Sequence, residues 1–410
     1  MGGTAAAAGA GTFEARTGGW LPGTGEPGQP MLRWSSRARS IDAVQEELSR
    51  IWSSISLAMP GEDGEERRVA ARSSVMNLVV VAARGETAER AAAVIHGLMG
   101  RHPSRTIIVT PADPDGPSWI DAQVQAHCVL PSRDSPETCA ELVYLTAGGE
   151  AGQHLAGCVT PLLVHDLPVT VWGPGEPRFE SVGARALLRV ADRVLVDGAG
   201  WSGDGLDRLA TLATLAATHD VEVADFALLR QSRWREAIAS SFDLPRLRPF
   251  LGWIRELSVG YAANDGAPGA TNVVKPIYHL AWLASRLGMV VVEPLRAGTE
   301  AWAGYHGLLR VGRRRVAVDL RPIESSARSG TTLEVNLVAR RGHGTLEAHV
   351  TGQADGITVA TIVNGAAMAD RHYLVARRHE GDLLAETIED AAAHPLTVDA
   401  LAMAASLVAR

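Results

Sequence analysis

Hydrophobic positions change their spacing several times along this chain, and each change predicts an element. Ile41, Val44, Leu48, Ile51 and Ile55 share one stripe at helical spacing and predict an amphipathic helix from Ser40 to about Leu57. Met76–Val81 is a continuous apolar run, the pattern of a strand covered on both faces. From there strand and helix patterns alternate: a helix over Thr87–Gly100, a strand at Thr106–Val109, and two longer strands around Ala122–Leu130 and Cys139–Leu145. A helix at Gly152–Leu163, a strand at Val169–Trp172, a helix at Glu180–Val190, a strand at Val194–Val196 and a helix at Leu206–Thr218 follow. Helices are expected at Arg233–Phe242 and Val273–Leu287. After Met289 the pattern turns to period-two alternation with glycine turns: Val316, Val318 and Leu320 oppose Arg313, Arg315 and Asp319, and Leu333, Val335 and Leu337 oppose Glu334 and Asn336. Helices at Asp382–Ala392 and Thr397–Val408 close the chain.

These patterns predict an α/β N-terminal layered domain, with a mixed, mostly parallel sheet and helices, followed by a smaller α+β domain with an antiparallel sheet. The expected boundaries are a Gly/Ala/Pro-rich structureless tail over 1–39, a helix and acidic linker over 40–72, the α/β domain over 73–225, and the second domain over 226–410.

Composition narrows the function. The 410 residues carry 39 basic and 46 acidic side chains, a formal charge of −7, whereas nucleic-acid binding calls for a basic face. Lys275 is the only lysine and follows Val274, so no phosphate-binding loop of the Gly-Lys type exists; at the start of a helix it reads as a solvated side chain. Three cysteines are too few for a disulfide framework and fit a reducing compartment, and Cys128 and Cys139 fall on consecutive strands, as a redox pair or as two inert thiols. The N-terminus has no signal-peptide pattern, and no apolar run reaches the ~18 residues of a membrane span. A cytoplasmic protein without a membrane or nucleic-acid partner is expected.

Candidate chemistry is sparse. Gly198-Ala199-Gly200-Trp201-Ser202-Gly203 follows a strand and precedes a helix, the context of a dinucleotide fingerprint, with Asp220, Glu222 or Asp225 placed to meet a ribose. The alternative is an ordinary strand-to-helix loop, because this stretch comes late in its domain in a chain with 42 glycines. Zinc-type ligand spacing, a nucleophile elbow and a spaced carboxylate pair are all missing from the sequence, so neither metal, cofactor nor catalytic residues are expected. The arginines at 310, 313, 314, 315 and 321 read as a solvated hairpin or as an anion- or partner-binding surface.

Six segments, in order, carry a resemblance. They are Met76-Asn77-Leu78-Val79-Val80-Val81, Arg101-His102-Pro103-Ser104-Arg105-Thr106-Ile107-Ile108-Val109, Pro161 to Trp172 (PLLVHDLPVTVW), Asp192-Arg193-Val194-Leu195-Val196-Asp197, Arg233-Trp234-Arg235-Glu236 ahead of Phe242-Asp243, and Ala281-Trp282-Leu283-Ala284-Ser285-Arg286-Leu287-Gly288. Over roughly 75–290 the chain resembles a divergent member of the glucose-6-phosphate dehydrogenase assembly protein (OpcA) family. The resemblance implies a non-catalytic, two-domain partner protein that binds glucose-6-phosphate dehydrogenase, favours its active oligomer and supports the oxidative pentose phosphate pathway. In some members cysteines link activation to thioredoxin; Cys128 and Cys139 fall near such positions, although Ala140 stands where some relatives carry a second cysteine. Where the family often has paired tryptophans, Gly173 follows Trp172. By residue type, Trp172, Trp234 and Arg235, the turn from His102 to Arg105, and the polar sheet face bearing Arg313 and Arg315 are the candidate partner contacts. The competing reading is a nucleotide-binding enzyme or sensor using Gly198, Gly200, Gly203 and Asp225.

Overall fold

The computed structural model describes residues 19–22, 32–54, 58–60, 66–68, 74–99, 101–129, 138–176, 181–264, 270–299, 304–390 and 395–409. The outer parts of the expected tail and most of the expected acidic linker lie outside these residues. The chain divides into two compact units, the first comprising Met1–Val80 with His96–Pro168 and the second Val81–Ile95 with Val169–Arg410. Asp225 and Phe226, where composition placed a domain boundary, both belong to the second unit.

The first unit is built on a mixed sheet. Its strands are β1 (Gly19–Pro22), β2 (Leu32–Ala38), β3 (Met76–Val81), β4 (Ser104–Pro111), β5 (Trp119–Val129) and β6 (Thr138–Gly148), in the order β1-β2-β5-β6-β4-β3. β4 and β6 run parallel, while β5 pairs antiparallel with β6 and with β2. β2 was expected in a structureless tail; instead it hydrogen-bonds along the edge of β5 from Leu32–Cys128 to Ala38–Ala122. Its alternation is visible once the strand is known: Trp34, Ser36 and Ala38 are buried, and Ser35 and Arg37 are exposed. Helix α1 (Ile41–Ser54) buries Val44, Leu48 and Ile51, as its stripe predicts, and packs on β2 and β5. The helix expected over Gly152–Leu163 is broken. His154 leaves helical geometry at φ −114°, ψ 49°, so two one-turn helices and a 3-10 turn replace one continuous helix.

Two internal ties hold this unit. Glu141 on β6 is fully buried and receives the Arg105 guanidinium of β4 through both its oxygens, with Nη2 at 2.9 Å from Oε1, while Arg105 Nη1 donates to Leu162 O at 2.8 Å and Trp52 Nε1 donates to Glu141 as well. Cys128 and Cys139 face each other in register across β5 and β6, both buried, and a disulfide joins them with Cα atoms 4.0 Å apart. The alternative of two inert thiols is thereby corrected, because an antiparallel pair places the two sulfurs at bonding distance. Cys158 remains a free, buried thiol whose pKa burial pushes up.

The second unit contains three parallel strands, β7 (Val169–Gly173), β8 (Arg193–Val196) and β9 (Glu222–Asp225), in that order. Helices α2 (Gly85–His96), α3 (Val182–Leu188) and α4 (Leu206–His219) bury Ala91 and Ile95, Leu187 and Leu188, and Leu209 and Leu212 respectively. Ser181 caps α3 by accepting from Ala184 N at 3.2 Å. Its other layer is a twisted sheet of β10 (Ile254–Ala262), β11 (Val290–Ala297), β12 (Tyr305–Val311), β13 (Arg314–Ile323), β14 (Thr332–Arg341), β15 (Gly344–Gly352) and β16 (Gly356–Val363), ordered β11-β12-β13-β10-β14-β15-β16. All its pairs are antiparallel except β10 with β13. Helices α5 (Ser232–Ser240) and α6 (Val274–Arg286) cover one face; α7 (Glu380–Glu389) and α8 (Pro395–Val408) complete the unit. The chain is therefore an α/β N-terminal part with a mixed sheet followed by an antiparallel-rich sheet with helices, as the patterns predict.

Asp225, at the end of β9, ties the second unit together. Its Oδ1 accepts from Gly198 N at 2.9 Å and Ala227 N at 2.8 Å, and its Oδ2 accepts from Tyr278 Oη of α6 at 2.9 Å. Burial, then the Asp197 carboxylate, push its pKa up to about 7, against these three hydrogen bonds. A carboxyl raised this way keeps in the folded state a proton that the unfolded chain releases near pH 4, so its contribution to stability is greatest below that pH and is lost as pH rises to about 7.

Asp225→Asn keeps the acceptors for both amides and removes the titration. The unfolding free energy of the variant relative to the parent is expected to rise between pH 5 and pH 8 by on the order of 2 kcal/mol, read by urea denaturation at both pH values. A difference that does not depend on pH would overturn the assignment. In the first unit, Arg105→Met strands a buried carboxylate and is expected to cost about 3–5 kcal/mol. The double variant Arg105→Met/Glu141→Leu is expected to recover most of that loss in the same assay.

Candidate functional site

The sheet of the second unit has one face under helices and one without. Val316, Val318, Leu320, Val335, Leu337, Leu346, Ala348 and Val350 point to the covered side and are fully buried. Their sequence neighbours point the other way, and among the described residues no helix packs over them. Strand pairing arranges these neighbours in rows that cross the sheet. One row runs His306, Asp319, Ser258, Asn336, His349 and Ala360; the next runs Leu308, Ala317, Glu256, Val338, Glu347 and Ile362.

Polar groups on this face are held by one another. Asp319 Oδ1 lies 2.6 Å from His306 Nδ1, and its Oδ2 accepts from Arg321 at 3.3 Å. Asn336 accepts from His349 Nδ1 at 2.9 Å and donates to Glu334 Oε1 at 2.9 Å, and Arg340 pairs with Glu256 at 2.8 Å. Gly260 makes room for the groups on this face: a Cβ there would sit 2.5 Å from both Glu334 Cγ and Ile323 Cδ1. The result is a wide surface with both charge signs, prearranged donors and acceptors, and a row in which the apolar Leu308, Ala317, Val338 and Ile362 alternate with Glu256 and Glu347. Such a surface suits a protein partner better than a small molecule, since it has area and preset polar geometry but no concavity.

The residues expected to meet a partner are placed very differently from one another. Arg315 is exposed on this face, Arg313 is exposed in the turn before β13, and Arg314 stacks 4.6 Å over the Trp253 ring. Arg105 belongs to the buried pair with Glu141, so it is a structural cation and not a surface anchor. His102 is half-buried in the turn before β4, its N–H bonded to Leu98 O at 2.9 Å. Trp172 is fully buried, 6.5 Å from the Phe226 ring, so an expected contact turns out to be core. Trp234 is half-buried, 5.3 Å from His279, and also packs on Gly352, where a Cβ would come within 2.9 Å. Arg235 donates to Leu228 O at 2.7 Å; burial, followed by Arg378, pushes its pKa down to about 10.

The glycine loop is closed on itself. Gly198 is buried, and a Cβ there would lie 2.6 Å from Asp225 Oδ2 and 2.8 Å from Val274. Its N–H goes to Asp225 and its carbonyl accepts from Asn272 Nδ2 at 2.8 Å. Gly200 N–H bonds Asp197 O at 3.1 Å, and α4 begins only at Leu206 after Gly203 and Gly205, both at positive φ. Asp225 has both oxygens engaged within the chain, so the groups a pyrophosphate and ribose would need are already used. The glycine at 198 reflects close packing of a carboxylate and a helix start.

Comparison with known proteins covers both parts of the chain. Residues 96–214 match the profile described as the glucose-6-phosphate dehydrogenase subunit N-terminal domain, and residues 221–401 match that of the C-terminal domain of the same subunit. A Synechocystis protein described as an OxPP cycle protein OpcA is 29% identical over 187 residues, 45% of this chain and 37% of that protein. A Nostoc punctiforme protein of the same description is 27% identical over 188 residues, 46% of this chain and 38% of that protein. The matched region thus spans little more than a third of these relatives' length. Among solved structures, an oxidoreductase-type protein, YvaA, from Bacillus subtilis aligns over 81% of this chain and 96% of its own at 12% identity and a TM-score of 0.42, too slight a likeness to argue from. The two domain profiles together match well over half of the chain, in order, and the chain belongs to the OpcA family of glucose-6-phosphate dehydrogenase assembly proteins.

Proposed function

We propose that this protein is a non-catalytic assembly factor and allosteric activator of glucose-6-phosphate dehydrogenase, acting in the oxidative pentose phosphate pathway, and that the open face of its second sheet is the docking surface. The observation that carries this reading is the ordered match of both halves of the chain to the two domains of one assembly-protein family. The form of the face supports it: six strands from β12 to β16 at ~4.8 Å spacing, each presenting three or four outward residues, offer on the order of 600 Å² of flat area, comparable to one side of a standard interface.

A protein that performs no chemistry activates another only by binding one of its states more tightly. A 100-fold preference for the assembled dehydrogenase corresponds to ~2.7 kcal/mol of coupling. Two or three contacts at Leu308, Ala317, Val338 and Ile362, with matched polar pairs to the glutamates between them, are enough to supply that difference. Because the polar groups already bond one another, few rotamers are lost on docking.

Titrating the purified protein into its cognate dehydrogenase is expected to raise specific activity and shift the enzyme toward its larger oligomer in analytical ultracentrifugation. Ala317→Arg, at an exposed position of the row between Leu308 and Glu256, is expected to weaken both effects at least roughly tenfold while leaving the melting temperature unchanged. Unaltered enzyme activity and mass on addition of the parent protein would refute the function. Full activity of the Ala317→Arg protein would refute the docking face alone.

A further inference from the structure

The start of α6 gathers cations from three separate stretches of the second unit. Asn272 sets the corner: its amide donates to the carbonyls of Gly198 at 2.8 Å and Trp201 at 2.9 Å, and its Oδ1 accepts from Val274 N at 3.0 Å. Gln231 ties a second stretch to it by donating to Lys275 O at 2.8 Å, which brings the preceding Arg230 beside the first turn of the helix. The third stretch is the turn carrying Arg328. Ser329 Oγ lies 3.4 Å from Thr271 Oγ1, and Gly330 packs so closely that a Cβ would meet Asn272 O at 2.5 Å. Arg230 and Arg328 both act on Lys275, and the carboxylate acting on the lysine is Asp197, which bonds Arg230 at 2.7 Å; Glu380 lies farther out, on the Arg230 side. At the lysine itself, its ammonium and two guanidinium groups stand against one carboxylate.

The lysine is not the solvated side chain that its place at a helix start suggests. It is half-buried, and its ammonium has no hydrogen bond or ion pair among the described residues. Burial first, then Arg230 and Arg328, push its pKa down, and Asp197 only partly offsets them. The helix start adds to the excess: Val274 N–H is taken by Asn272, Pro276 has none, Ile277 N–H bonds Val273 O, and the Lys275 N–H is left over at the positive end of the α6 dipole.

One turn along the same face of α6, His279 is wholly buried, and neither of its ring nitrogens has a partner among the described residues. Burial, then Arg235 and Lys275, push its pKa down to about 3, so it is a neutral imidazole at physiological pH. The ammonium, the two guanidinium groups and the helix amide are donors only, and the ammonium has no acceptor among the described residues.

We propose that this corner binds a phosphate monoester, the anionic group of a small phosphorylated metabolite, held between Lys275, Arg230 and Arg328 at the start of α6. The charge arithmetic selects the ligand class: an excess of two positive charges is matched by a dianionic monoester, and a single carboxylate leaves half of it uncompensated. A helix start with converging basic side chains also presents donors in the divergent geometry that phosphate oxygens accept. The inference rests on the second unit alone and stands or falls independently of the docking face.

The chain's single lysine makes the test direct. Reductive methylation with 13C-formaldehyde keeps the charge and gives one side-chain dimethylamine signal, that of Lys275, beside the α-amine. Titrating the full chain with inorganic phosphate and with glucose 6-phosphate, at ionic strength held constant with chloride, is expected to move that signal saturably at millimolar concentrations or below. Calorimetry on the unmethylated protein is expected to give the same affinity. Arg328→Gln changes an exposed side chain and is expected to weaken binding roughly tenfold or more without altering the melting temperature. A signal that does not move with either phosphate, or that moves equally with chloride, would overturn the proposal, as would undiminished affinity in Arg328→Gln.

Discussion

One buried carboxylate organises the second unit. Asp225 sits at the end of β9, where a parallel strand leaves its last backbone groups unpaired, and it satisfies two amides and a tyrosine hydroxyl from three different segments. An ionised carboxylate in that place would be costly in isolation, and its three donors together with its upward-shifted pKa are how the fold tolerates it. The arrangement dictates local sequence. Position 198 must be glycine because the carboxylate and Val274 fill the space of a side chain, and Tyr278 must lie one turn into α6 to reach Oδ2. The corner around Lys275 inherits its position from the same constraint, since Asn272 anchors the start of α6 to the Gly198 carbonyl.

This explains which parts of the chain were legible. Periodic segments were read correctly: the α1 stripe, the apolar β3 run, and the alternation that puts Arg315 and Asp319 opposite Val316 and Val318. These elements bury one face against water, so polarity records their geometry. The strand β10 escaped notice because six consecutive residues from Leu257 to Ala262 are buried, and small residues such as Ser258 and Gly260 stand where the outward face would show polarity. The strand β2 was hidden by its Gly- and Pro-rich surroundings, and its alternation is too short to stand out from them.

Candidate residues failed or held for equally physical reasons. Trp172 and Arg105 have the side chains that anchor interfaces, yet both lie in segments dense with apolar residues, which should have argued for the interior. The glycine fingerprint at 198–203 and the ribose-type Asp225 were separated in sequence but joined in space, and their mutual hydrogen bond is invisible to motif reading. Lys275 was misread because a helix start ordinarily faces water. Nothing in the local sequence reveals that a turn some fifty residues later packs Gly330 on Asn272 and brings the charge of Arg328 to bear on the lysine.

The second sheet also shows how a stable unit can keep a large surface available. A polar face is usually indifferent to partners because each group is hydrated and mobile, and docking must strip water and freeze side chains. Here the cross-strand pairs His306–Asp319, Asn336–His349 and Glu256–Arg340 do that ordering within the monomer. In the proposed docking, Leu308, Ala317, Val338 and Ile362 are the positions whose water is lost at a gain, and the polar pairs around them fix their orientation. The same rigidity guards against indiscriminate pairing: the outward groups stand perpendicular to the sheet and satisfy one another, so a partner must match their spacing along several rows at once. Selectivity of that kind favours one assembled geometry of a target over its separate chains, which is the physical requirement for an assembly factor.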